Sequence, residues 1–76
     1  MNVVYYFSFN TDKSEEEHLR RISASSYKNA IEKACVVLEE LNDEVDLLGL
    51  DEWEDVQDEC AEYGLYVSDL IEEDDV

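Results

Sequence analysis

The chain opens on an apolar run that divides into two faces. In "NVVYYFSFN" (residues 2–10), Val3, Tyr5, Phe7 and Phe9 share one side and Val4, Tyr6 and Ser8 the other, in a run dense in β-branched and aromatic residues. A side-chain period of two predicts a strand with an apolar face. "TDKSE" follows as a polar connection. "EEHLRRISAS" (16–25) then sets Ile22 and Ala24 on one face, which predicts a second strand returning through a loop of about five residues.

The period changes after residue 25. Ser25 or Ser26 is placed to cap a helix by offering an oxygen to the free N–H groups of its first turn. In "YKNAIEKACVVLEELNDE" (27–44), continued to Val45, the residues Tyr27, Ala30, Ile31, Ala34, Leu38, Leu41 and Val45 recur at steps of three and four, and Cys35 flanks them. That spacing predicts one apolar helix face. "VDLLGL" (45–50) reads as an apolar connection broken by Gly49.

A second helix is predicted over 51–63. Asp51 with Glu54 three residues on has the form of a capping box, and Trp53, Val56, Cys60 and Tyr63 make a single apolar stripe. Gly64 stands where a helix end needs a residue of positive φ. "LYVSDLI" (65–71) then predicts a third strand, because Tyr66 and Val67 follow directly on that stop. The order β-β-α-α-β predicts an α+β fold, a small antiparallel sheet with two helices packed on one face. The domain is expected over residues 1–71, with 72–76 a frayed acidic tail.

Charge changes this picture. The formal net charge of the 76 residues is −17, yet 45% are apolar and Pro is absent, so the chain is a folding one. Residues 1–30 balance Asp12, Glu15, Glu16 and Glu17 against Lys13, Arg20, Arg21 and Lys28. The remaining 18 acids face a single base, Lys33, so the whole excess lies in residues 31–76.

The chemistry that a sequence can announce is sparse. His18 is the only His and sits beside Glu17 and Arg20 on a predicted strand, the setting of a surface residue. There is no Gly-rich phosphate loop, nucleophile elbow, zinc spacing or calcium loop with its internal Gly, so no enzyme, cofactor or metal role is expected. Cys35 and Cys60 lie 25 residues apart and are expected as buried thiols of a reducing, cytoplasmic compartment. The apolar run from Val3 to Phe7 is too short for a membrane span, and an acidic surface is repelled by anionic lipid, so no membrane partner is expected. Direct nucleic-acid binding is not expected either, because a small patch of Lys13, Arg20, Arg21 and Lys28 would not hold a phosphate backbone against a net charge of −17.

The acids themselves form the candidate site. Asp51, Glu52, Glu54, Asp55, Asp58, Glu59 and Glu62 occupy seven of twelve consecutive positions, with no base at i+4 to offset them. Asp51, Asp55, Asp58 and Glu62 follow one line along the predicted helix, with neighbours about 5–6 Å apart on the axis. Glu39, Glu40, Asp43 and Glu44 add a second group at the end of the first helix. DNA carries about one negative charge per 1.7 Å of duplex axis, so rows of carboxylates offer a coarse copy of it to a basic protein. Two other readings stand beside this one: a solubilising face without a partner, and an adaptor that binds through Tyr6 and Tyr66 on an open sheet face.

The compact start "VVYYFSF…ISASSYKNAIEKA" and the base-free half "DEWEDVQDECAEYG…IEEDD" together resemble the small phage-encoded inhibitor proteins, notably anti-CRISPR proteins and related DNA mimics. The resemblance is one of type and spans the whole chain without a shared motif. It implies a monomer or homodimer acting in a bacterial cytoplasm. It also implies a basic nucleic-acid-binding partner, a CRISPR effector first, whose DNA-binding lysines and arginines the acids would cover.

Overall fold

The apolar run at the N-terminus becomes the central strand of the sheet. The structure is a computed structural model that describes residues 2–73, the side chains of residues 14 and 15 excepted. β1 (Val3–Thr11) buries Tyr5, Phe7 and Phe9 and leaves the residues between them half-buried. β2 (Ser14–Ala24) pairs with it antiparallel, setting Ile22 opposite Tyr5 and Ala24 opposite Val3 on the same face. β3 (Leu65–Val67) lies on the other edge of β1, as does β4 (Ile71–Glu72), which pairs with Tyr5 and Tyr6. The path across the sheet is β2-β1-β3. α1 (Tyr27–Leu41) packs over β2 and α2 (Trp53–Glu62) over β3, and their buried residues join the β1 face in one core. The α+β architecture expected from the sequence is the one observed.

Several local expectations are corrected. The hairpin turns on Asp12 and Lys13 alone, and β2 begins at Ser14. The ladder passes from Phe9↔His18 to Thr11↔Ser14, so β2 carries two extra residues in a bulge at that point. The sequence of this stretch is polar throughout, with Glu16 and Glu17 exposed, so it lacks the alternation that marks a strand. α1 ends at Leu41 because Asn42 turns the chain: its N–H donates to the Leu38 carbonyl, while its Oδ1 and carbonyl take the N–H groups of Glu44 and Val45. Tyr27 and Leu41, the two ends of the predicted helix face, are exposed, and Tyr27 meets Tyr5 edge-on at 5.9 Å. Val45 is buried as expected, but from the connection.

The predicted capping box of α2 is absent. Glu52 takes the N-cap position and makes no side-chain cap bond, leaving Asp51 outside the helix. The stripe holds at Trp53, Val56 and Cys60, while Tyr63 is the exposed C-cap. Gly64 ends the helix at φ 78°, as its position predicted. The single strand expected over 65–71 is two short strands. Ser68 separates them, giving its N–H to the Ser8 carbonyl and accepting the Ser8 N–H on Oγ, both at 2.8 Å. Pairing also reaches into the segment expected to fray: Glu72 belongs to β4 and the Glu73 N–H donates to the Val4 carbonyl at 2.7 Å. Residues 74–76 of that segment lie outside the described residues.

Candidate partner-binding surface

An isolated ten-residue helix with this many like charges would be a poor one. α2 is held by its buried side. Trp53 packs on Phe7 with ring centroids 5.4 Å apart, and its Nε1 donates to the Ser68 carbonyl at 2.8 Å. One turn on, Gln57 Nε2 donates to the Val67 carbonyl at 3.0 Å. These two bonds fasten the helix along the β3–β4 segment and leave its outer surface to the carboxylates. Asp51, Glu52, Glu54, Asp55, Asp58 and Glu62 are exposed, and Glu59, beside Cys60, is half-buried. Among the described residues, no ion pair joins an acid of α2 to a base.

The helix dipole sorts these acids. Glu54 and Asp55 stand in the first turn, where the partial positive charge of the N-terminus favours them. Glu59 and Glu62 stand at the other end, where the dipole opposes them, and the last turn holds no base. α1 repeats the pattern with Glu39 and Glu40 near its C-terminus, again without a base in the last turn.

The second group of predicted site residues divides. Glu40, Asp43 and Glu44 are exposed. Glu39 is half-buried and accepts the Leu47 N–H on Oε2 at 2.9 Å, which holds the connection against α1 with Leu47 buried. Its carboxylate therefore serves the fold, a role that spacing along a helix does not announce.

The two thiols lie in the core beneath this surface. Burial, then Glu39 and Glu32, push the Cys35 thiol from 9.0 up to about 11. Burial, then Cys35 and Glu59, do the same for Cys60. Both are thus held as protonated apolar groups at neutral pH.

Two features escaped sequence reasoning. A hollow of about 370 Å³ opens between the hairpin turn and the C-terminal ends of both helices, walled by Phe9, Lys13, His18, Leu41 and Tyr63 among others. His18 stacks on Phe9 across the strands at 5.3 Å, at the last regular pair of the ladder before the bulge. The second is the width of the open sheet face. Tyr66 is exposed as expected and Tyr6 is half-buried, but Leu19 and Ile71 join them there, at 59% and 45% exposed. Among the described residues, no helix is long and apolar enough to cross a membrane, and no three His, Cys, Asp or Glu side chains gather as a metal site. Comparison with protein-family models, with curated proteins and with solved structures finds no match for this chain.

Proposed function

We propose that the protein is an acidic inhibitor that occupies the nucleic-acid site of a basic partner. The observation that carries this reading is the placement of charge against the interest of the fold. Carboxylates stand at the C-terminal ends of both helices, opposed by the dipoles and without bases in either last turn. In a domain this small such repulsion is a real cost. It is recovered when lysines and arginines of another protein supply the counter-charge. The residues assigned to that contact are Asp51, Glu52, Glu54, Asp55, Asp58 and Glu62, with Glu40, Asp43 and Glu44 beside them. Their role is charge pairing, not catalysis. The resemblance to phage-encoded inhibitors makes a CRISPR surveillance complex the first target class to try.

The test is competition for DNA by a purified CRISPR surveillance complex. The protein should displace target DNA, and its affinity should fall steeply as ionic strength rises. Asp55→Lys with Asp58→Lys should abolish displacement while circular dichroism stays unchanged. Undiminished displacement by that folded variant would remove α2 from the contact.

A second reading has its own observation. Leu19, Tyr66 and Ile71 give the open sheet face an apolar character that a pure charge mimic does not need. An adaptor bound there would be insensitive to salt and would lose affinity with Tyr66→Ala.

A further inference from the structure

We infer that the protein self-associates through the free edge of β2, forming a two-fold dimer centred on Leu19. The sheet order leaves this edge unpaired among the described residues. Its backbone groups can be assigned from their neighbours. Ser8 directs both its N–H and its carbonyl at Ser68, away from β2. Leu19 is the partner of Ser8 in the ladder, so its own N–H and carbonyl point outward from the sheet. The alternation repeats at Arg21 and Ser23, and the Ser23 carbonyl is indeed taken from outside the sheet by Lys33 Nζ at 2.6 Å. An open row of this kind pairs readily with another strand.

Charge selects a second copy as that strand. "EEEHLRR" (15–21) runs from acid to base, so an antiparallel copy of itself sets its acidic end against the other's basic end. A two-fold axis normal to the sheet keeps each side chain on its own face, so only registers centred on a residue are allowed. Centring on Arg20 sets that arginine against itself. Centring on Leu19 sets Leu19 against Leu19 of the second copy and Glu17 against the second copy's Arg21, twice by symmetry. All three lie on the open face: Leu19 and Arg21 oppose Ser8 and Tyr6, and Glu17 borders Asn10 and Tyr66. Arg21 is already drawn to this face by Glu73 at 3.4 Å. The most exposed apolar side chain of the sheet is covered in the same step. The ladder is short, because the bulge ends it on one side and the Lys33–Ser23 bond on the other.

The wider field permits the approach. Every base of the chain belongs to the hairpin or to α1, on the β2 side, whereas α2 packs over β3 at the opposite side of the sheet. Pairing through β2 therefore joins the two least acidic flanks and keeps the two α2 helices at the far ends of one continuous sheet.

Sedimentation equilibrium at micromolar to millimolar protein tests this. Wild type should show a concentration-dependent dimer. Glu17→Arg or Arg21→Glu turns two attractive pairs into two repulsive ones and should raise the dissociation constant roughly tenfold or more. An equimolar mixture of the two variants should recover the dimer, since both pairs between positions 17 and 21 are again opposite in sign. Leu19→Pro removes an N–H that β1 does not use and should give a folded monomer. A wild type that stays monomeric at millimolar concentration would overturn the inference. So would a dimer that tolerates both charge reversals but is lost with Ile71→Asp, which would place the contact on the sheet face instead.

Discussion

The two helices reach stability by different routes. α1 is capped by Ser26, whose Oγ takes the Asn29 N–H at 3.1 Å, and it carries Lys28 and Lys33 among its acids over fifteen residues. α2 has ten residues, no side-chain cap and no base, and depends on Trp53 and Gln57 reaching back to the β3–β4 segment. Both helices end on acids with no base in the last turn, but α1 keeps a side-chain cap and two bases of its own, whereas α2 lacks both and is kept by tertiary contacts. A segment that departs further from local preference than its neighbour points to selection for something other than folding. The uncompensated charge of α2 adds to the case made by the acids at the ends of both helices.

The contrast can be broken most forcefully at Trp53. Trp53→Ala removes the Phe7 packing and the bond to Ser68, and should cost about 3–5 kcal/mol in denaturant titration, enough to unfold a domain of this size. Trp53→Phe keeps most of the packing and should cost far less. The two helices next share a sensitivity to alkali. Both thiols have a folded pKa raised from 9.0 to about 11, so the protonated form is favoured in the folded state. Their contribution is whole below pH 9 and is lost as pH rises from 9 toward 11. The loss is on the order of 2 kcal/mol for each thiol, and Cys60→Ala should remove its half of the alkaline slope.

Smaller effects separate the helices by sign. Ser26→Ala should destabilise by about 1 kcal/mol through loss of the α1 cap. Glu52→Ser should do the opposite, stabilising by roughly 0.5–1 kcal/mol, because it supplies the cap that α2 lacks. The smallest expected change is a slight rise in Tm with Glu62→Lys, which puts a base at the negative end of the dipole. That substitution should at the same time weaken displacement of DNA. Gain of stability with loss of binding in one variant would be the sharpest form of the comparison.

Much of this was legible in the residues. β1 could be read because one of its faces, Val3, Tyr5, Phe7 and Phe9, is wholly apolar in a run rich in β-branched and aromatic residues. α1 could be read because its core face spans several turns, and Gly64 because a helix end and positive φ coincide there. The failures share a cause. The start of β2 is polar in sequence and belongs to the outer strand of the sheet, so no apolar alternation marks it. The break between β3 and β4 depends on Ser68 bonding to a residue sixty positions away. Glu39 looks like any other surface acid until the connection folds back onto it. The carboxylates were legible as a group, but their individual duties were not, because position on a helix does not reveal which acid a loop will recruit.

The two glycines of the chain make unequal demands on a mutational library. Gly49 has φ 87° and open space where a side chain would begin, so a residue tolerant of positive φ, such as Asn, can stand there. Gly64 combines φ 78° with the Asp12 carboxylate, which a Cβ would meet at 2.8 Å, and its carbonyl accepts the Asp12 N–H at 3.0 Å. A selection for folded chains should therefore let the acids of α2 drift widely while returning glycine at position 64 almost without exception. The exposed Asp12 side chain can swing aside, so it is the positive φ that holds glycine at the end of the acidic helix, while position 12 of the hairpin turn stays free to vary.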